Sequence, residues 1–291
     1  MPKTTDPVAL NDWYVVGYGE DITADAPRRT MLLGQPILVS RDSSGKLTAV
    51  ELNGQDASSP VAHIAERYGF VWVSLGDRPG EIVDVPQLVE PDGRRFLHRG
   101  RIGVPISAPR IIENFFDLSH FSFVHTGTLG GYASAEVPKY DVEFRKDGKE
   151  MWAVGCSFIQ PKASAAAEGD ARPIYYDYRV PSPFMAIIYK DSLVRMGEKD
   201  LIGLFIQPET EELSTVHSFA LIFDETNSDT DILHFYHEIF AQDRAIMIHQ
   251  SPKTLPVGPA NEVPTVSDAN SVAFRRWVDR SGLDFCVYRG V

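Results

Sequence analysis

NFFDLSHFSFVHTG, residues 114–127, sets an asparagine, an aspartate and two histidines at intervals of three, three and five among four phenylalanines. A helix that only fills a core has no use for such polar spacing. On a helical wheel Ile111, Ile112, Phe115 and Leu118 make an apolar stripe, and Asn114, Asp117 and His120 form an i, i+3, i+6 row beside it. A solvated row with one modest Asp117–His120 contact accounts for that much. His125 changes the balance. Five residues from His120, it cannot share a face with it on a regular helix, but a helix ending near Ser122 lets both rings converge on one point.

Downstream, KYDVEFR (139–145) alternates apolar and charged residues before the turn KDGK, the pattern of a half-buried antiparallel strand. EMWAVGCSF, PIYYDYRV, FMAIIYK, LIGLFIQ and STVHSFALIF follow as further strands, interrupted by a small-residue loop, KASAAAEGDA, expected to be mobile. Helices are predicted at about 229–249 and 267–281. Strands in succession with helices before and after them indicate an α+β domain, an antiparallel sheet with helices on one face. Upstream, WYVVGY, RTMLLGQPILVSR, GKLTAVEL and ERYGFVWVSLGD read as a small all-β unit. The proline-rich stretch from Glu81 to Pro109 suits a connector over a surface, which places domains at 1–80 and 81–291.

On the helix near 229–249, Ile232, Phe235, Tyr236, Ile239, Phe240, Ile246 and Met247 share one apolar arc, and Asp243 falls near its centre. A carboxylate facing a core is costly unless it is paired or bound to a metal. His234, His237 and His249 plot on the polar side with Glu238, as a solvated face would. Two imidazoles and one buried carboxylate from a distant helix are the ingredients of the facial triad of non-haem Fe(II) oxygenases, and zinc hydrolases use similar ligands. The chain has no H-E-x-x-H, which favours iron. The phenylalanines at 115, 116, 121 and 123 are expected to be ordinary core rather than pocket wall.

The chain has 291 residues, a formal charge of -12 and no run of Lys and Arg, so nucleic acid is not an expected partner. Two cysteines, Cys156 and Cys286, lie outside any C-x-x-C or C-x-H pattern and are expected to be reduced and at least partly buried. The amino terminus lacks the pattern of a signal peptide and no apolar run reaches membrane-spanning length, so a cytoplasmic location is expected.

The spacing N-x-x-D-x-x-H-x-x-x-x-H resembles the signature of the catalytic subunits of Rieske non-haem iron oxygenases, and FAQDRAIMIHQSP (240–252) is similar to that family's carboxylate helix. The resemblance implies a helix-grip catalytic domain with a mononuclear Fe(II) held by His120, His125 and Asp243. It implies that Asp117 links an electron donor to a ligand histidine, with Asn114 as a further site residue. VSRDSSGKLTAVEL resembles outer strands of the Rieske domain and AERYGFVWVSLGD its exit. The C-x-H and C-x-x-H that bind the [2Fe–2S] cluster in the family are missing between them, and His63 reads as a surface histidine.

In size and in the missing motifs the chain resembles cluster-less subunits of bacterial caffeine-degrading N-demethylase systems. The segment 115–129 resembles full-length demethylases, which favours oxidative demethylation over ring dihydroxylation. The resemblance thus implies O2-dependent removal of a methyl group from a small heteroaromatic such as 7-methylxanthine, releasing formaldehyde. Electrons would come from NAD(P)H through a separate Rieske-bearing reductase docking near Glu113, Asp117 and the 114–120 row. Further oxygenase subunits or a homo-oligomer are also implied. The rival expectation is a non-catalytic ligand-binding or scaffold subunit that keeps the oxygenase fold.

Overall fold

The computed structural model describes residues 3–54, 56–132, 135–165, 170–258 and 262–290. Asp6 caps a helical turn, α1 (Pro7–Leu10), by accepting from the amides of Val8 and Ala9. Seven short strands follow: β1 (Tyr14–Tyr18), β2 (Arg28–Leu32), β3 (Gln35–Arg41), β4 (Leu47–Asn53), β5 (Asp56–Pro60), β6 (His63–Arg67) and β7 (Phe70–Ser74). They form two small sheets, ordered β1-β7-β6 and β2-β3-β4-β5, every pairing antiparallel. This is the all-β unit expected from the turn spacing.

The second part is built on β8 (Arg95–Val104), α2 (Ala108–Phe116), α3 (Phe121–Val124), β9 (Asp141–Arg145), β10 (Glu150–Gln160), β11 (Arg172–Ser182), β12 (Met185–Asp191), β13 (Lys199–Thr210) and β14 (Leu213–Ile222). α4 (Asp229–Met247), β15 (Leu255–Pro256), α5 (Ala269–Ser281) and β16 (Val287–Tyr288) complete it. β9 to β14 run as a meander of six antiparallel strands, and β8 pairs with β14 to make a seven-stranded sheet. Where Gly203 faces Phe219 across β13 and β14, a Cβ would sit 2.2 Å from the ring, so only glycine lets the sheet close there. α2 and α4 lie against this sheet, an α+β architecture.

β8 corrects the reading of 81–109 as a connector. RFLHRGRIGV hides its strand character because its arginines work as long amphipathic side chains. Arg95 bonds the carbonyls of Asp224 and Asn227 and pairs with Asp229 at the start of α4, and Arg99 is buried against Tyr236. β8 is thereby the strand that moors α4. One apolar cluster runs from Tyr14, Val16 and Leu32 into Val104, Ile106 and the α2 residues Ile111 and Ile112, so both halves of the chain share a core. The loop expected to be mobile lies in part, at residues 166–169, outside the described residues. Both cysteines are free and buried. Among the described residues no helix is long and apolar enough to cross a membrane.

Candidate metal centre

The helix carrying Asn114, Asp117 and His120 was expected to run to near Ser122, but α2 stops at Phe116. Asp117 caps it in an extended conformation, and its carboxylate turns back to accept from the Ser119 amide at 2.8 Å. From α5, Asn270 Nδ2 donates to the Phe116 carbonyl at 2.6 Å, satisfying one orphan acceptor of the helix end. The chain then bends and resumes helical structure for one turn at Phe121. This break dissolves the i, i+3, i+6 row: Asn114 stays on α2 and is buried, Asp117 is its cap, and His120 precedes the next turn. It also swings His120 toward His125. The GTLGG stretch holds that arrangement, since the amides of Thr128 and Leu129 both donate to the His125 carbonyl. A Cβ on Gly130 would lie 2.7 Å from the Phe121 carbonyl carbon, so the turn packs against the ligand segment only with glycine there.

His120 Nε2 and His125 Nε2 come within 3.1 Å of each other. Asp243 Oδ1, arriving from α4, lies 3.2 Å from the first and 3.0 Å from the second. Each imidazole is anchored through its other nitrogen: His120 Nδ1 donates to Asp117 Oδ2 at 3.2 Å, and His125 Nδ1 to Gln242 Oε1 at 2.7 Å. Those bonds place the ring protons on Nδ1 and leave the Nε2 lone pairs facing one another and Asp243. With the ring protons on Nδ1, Asp243 Oδ1 is buried without a hydrogen-bond donor despite its two close nitrogens.

Three converging lone pairs need a cation between them. An octahedral cation with donors at about 2.1 Å has adjacent donors about 3.0 Å apart, whereas a tetrahedral one with the same bonds spreads them to about 3.4 Å. The observed edges of 3.0, 3.1 and 3.2 Å match one face of the octahedron. The donor set therefore fits Fe(II) held by His120, His125 and Asp243.

With no cation present, protons take that role. Burial pulls the His120 pKa down, but bonds to Asp117 and Asp243 outweigh it and raise it to about 9. Burial likewise works against the Asp243 carboxylate, yet the two imidazoles hold its pKa well below the ordinary range. Asp117 behaves in the same way: burial opposes its charge, and His120 overcomes it.

The triad opens onto a cavity with an empty volume of about 710 Å³, its mouth included, between the long sheet and helices α2 and α4. Its walls are mainly apolar, from Phe115, Phe121, Leu129, Ile188, Leu204 and Phe240. Polar atoms enter from the sheet floor through Gln160, Tyr176, Tyr178 and Lys190.

The profile of the vanillate O-demethylase oxygenase C-terminal domain matches residues 105–282. A probable methylxanthine N7-demethylase (NdmC) of Pseudomonas sp. strain TJI-51 is 38% identical over 97% of both chains. The chain belongs to the Rieske non-haem iron oxygenases. Within this oxygenase family the methylxanthine N1-demethylase NdmA of Pseudomonas putida is 28% identical over 73% of this chain, a match spanning 58% of NdmA. The NdmA structure with caffeine superposes with a TM-score of 0.77 over 94% of this chain and 91% of that one, at 18% identity. Dicamba monooxygenase bound to dicamba gives 0.71 over 96% and 98%, at 15% identity. These two share the oxygenase fold.

In this oxygenase chain the residues singled out from the sequence have different fates. His120, His125 and Asp243 converge, and Asp117 touches His120 rather than the cation position. Asn114 lines both the metal cavity and a surface hollow beside Asp117. Glu113, expected on a docking surface, is instead buried, bridged by Arg110 at 3.2 Å and Arg275 at 2.5 Å, and ties α2 to α5. Phe115 and Phe121 are pocket wall, Phe116 is core against Phe274, and Phe123 is 61% exposed. Ile246, placed in the apolar arc, is also exposed, while His234, His237 and His249 face outward as expected. His237 donates to the Arg99 carbonyl at 2.7 Å. Sequence reading missed Gln242 altogether; nothing in a lone glutamine beside an aspartate marks it. Tyr176 and Tyr178 were visible as an i, i+2 pair on one strand face, a signal left unused.

Proposed function

We propose that the chain is the iron-bearing subunit of an O2-dependent N-demethylase acting on a methylxanthine such as 7-methylxanthine, with electrons delivered by a separate Rieske-bearing reductase. The observation that carries this reading is the triangle of ligand atoms, 3.0–3.2 Å on edge, at the wall of a largely apolar cavity. Its sequence identity to NdmC over nearly the whole chain supports the substrate class. The Nδ1 anchors of both histidines support catalysis over a scaffold role, because a site kept only for packing gains nothing from setting two tautomers.

His120, His125 and Asp243 would hold the iron, which when bound would supply the O2 activation needed to hydroxylate an N-methyl carbon that is then lost as formaldehyde. The balance is one N-methyl group, O2, two electrons and two protons giving N–H, formaldehyde and water. Phe115, Phe121, Leu129 and Ile188 exclude bulk water and pack a flat ring. Asp117 accepts the His120 ring proton, which fixes that ring and sets an acidic group at the protein surface one hydrogen bond from a ligand.

Two electrons are needed per turnover, and a nicotinamide delivers them as a hydride pair. The two cysteines are buried and far apart in sequence, without the cluster motif, so we assign single-electron delivery to a partner. A hollow lined by Asp117, Asn114, Ile246, Gln250 and Val263 supports docking beside Asp117, with Val263 exposed at its edge. We also propose the division into a reduced Rieske-like unit (1–80) and a catalytic unit (81–291), joined by the common core.

The test is formaldehyde release from 7-methylxanthine. With NADH and a flavin-only reductase the protein should yield none; addition of a soluble Rieske-bearing reductase should start the reaction. Coupled product formation without any Rieske protein refutes the partner, and no product with several such reductases refutes the demethylase.

A further inference from the structure

The floor of the metal cavity carries polar atoms with nothing to bond. Tyr176 and Tyr178 alternate along β11 so that both face the cavity, and Gln160 reaches it from the end of β10. Their exposures are 3%, 0% and 4%. The Tyr178 hydroxyl and Oε1 of Gln160 are buried without a hydrogen-bond partner, and the Tyr176 hydroxyl has none in good alignment, although the Gln160 side chain lies close enough to offset part of the effect of its burial. Burying such groups unpaired is costly, and three in one apolar cavity are the imprint of a ligand that pairs them. Burial raises both phenol pKa values well above 10, so the hydroxyls remain protonated donors.

Both buried cations of the cavity make bonds of their own, although Arg99 keeps its Nε unpaired. Lys190, directly across from Tyr176 on β12, donates to the Ala163 carbonyl and sits opposite Asp200. Arg99 donates to the Tyr236 carbonyl and stacks on that ring at 4.3 Å. The vacant positions are thus three, two neutral donors and one neutral acceptor, beside an unpaired Arg99 Nε–H. An aromatic carboxylate needs donors or cations alone and leaves the Gln160 oxygen unpaired. A ring lactam, in which carbonyls flank an N–H, satisfies all three.

We propose that Gln160 is the specificity-determining residue of this oxygenase, accepting from an unsubstituted ring N–H of a flat heteroaromatic lactam while Tyr176 and Tyr178 donate to its carbonyls. The inference rests on the demethylase reading for its choice of probe but not for its test. A substrate already methylated at the recognised nitrogen strands the Gln160 oxygen and adds a methyl group against it, so it is rejected.

The experiment is calorimetric binding to the Fe(II)-loaded full chain under anaerobic conditions without reductant, so that no turnover occurs. The probes are 7-methylxanthine, its 1,7- and 3,7-dimethyl and 1,3,7-trimethyl relatives, and 4-hydroxy-3-methoxybenzoate as the carboxylate. 7-Methylxanthine should bind at least about tenfold tighter than the trimethyl compound, and one of the two dimethyl isomers should share that loss, identifying the N–H that is read. Gln160→Leu should bring the 7-methyl and trimethyl compounds within about threefold of each other while iron content is unchanged. Tyr178→Phe and Tyr176→Phe should weaken both by similar factors, since the carbonyls are common to both.

Equal binding of the two compounds by the wild type, an unaltered preference in Gln160→Leu, no binding by any xanthine, or tighter binding of the benzoate each overturns the proposal. Selectivity without formaldehyde release would instead refute demethylation and leave this assignment standing. Formaldehyde release without selectivity does the reverse.

Discussion

Gln242→Leu isolates the residue that only the structure revealed. Its amide oxygen accepts from His125 Nδ1 at 2.7 Å, and the imidazole is 1% exposed, so water cannot replace the lost acceptor. A buried donor left unpaired costs about 1–3 kcal/mol. The cost falls on the metal-bound form, which requires the proton on Nδ1 and the lone pair on Nε2. The metal-free form escapes by moving the proton to Nε2, where Asp243 Oδ1 lies 3.0 Å away. The difference weakens Fe(II) binding by about 10- to 100-fold. Competition with a chromophoric chelator under anaerobic conditions measures it, and the melting temperature of the metal-free protein should hardly change. Gln242→Glu restores an acceptor and should keep affinity within a few-fold of wild type. If Gln242→Leu binds Fe(II) within about threefold of wild type, the reasoning on tautomer control fails.

Asp243→Ala, His120→Ala and His125→Ala should each lose most of the iron with secondary structure retained, whereas His237→Ala, on the outer face of α4, should keep it; elemental analysis and circular dichroism decide. Asp117→Asn should retain much of the iron yet turn over slowly with the reductase, because a neutral amide still accepts from His120 Nδ1 but no longer offers a carboxylate beside the docking hollow; near-normal rates would remove its linking role. In metal-free protein the His120 pKa is raised from 6.5 to about 9, so its stabilising contribution is complete below pH 6.5 and is lost as pH rises through about 9. Up to about 3 kcal/mol is at stake, so the melting temperature should fall across that window, and in iron-loaded protein, where Fe(II) has displaced the proton, it should not.

Much of this was legible in the residues. Asp243 declared itself because a carboxylate at the centre of an apolar arc demands a partner, and the His120–His125 spacing required a break in the helix. The meander of β9 to β14 followed from apolar alternation and turn residues. What escaped had physical causes. β8 is written in arginine and glycine, and its burial depends on Arg95 and Arg99 reaching α4, a contact that periodicity cannot encode. The position of the helix break was misjudged because Asp117 ends α2 by folding its side chain onto Ser119, and Glu113, expected to be free on the docking surface, lies buried at the edge of the hollow with its charge spent on Arg110 and Arg275. Gln242 acts through one hydrogen bond to a residue 117 positions away, which only the folded chain brings near.

The central claim is that this chain holds one mononuclear iron and no iron–sulfur cluster. Iron and acid-labile sulfide per chain, measured after anaerobic reconstitution and desalting, test it most directly. The account predicts about one iron and no labile sulfide, the stoichiometry of a facial triad without cluster ligands. No retained iron, or two or more irons accompanied by equivalent sulfide, would contradict it.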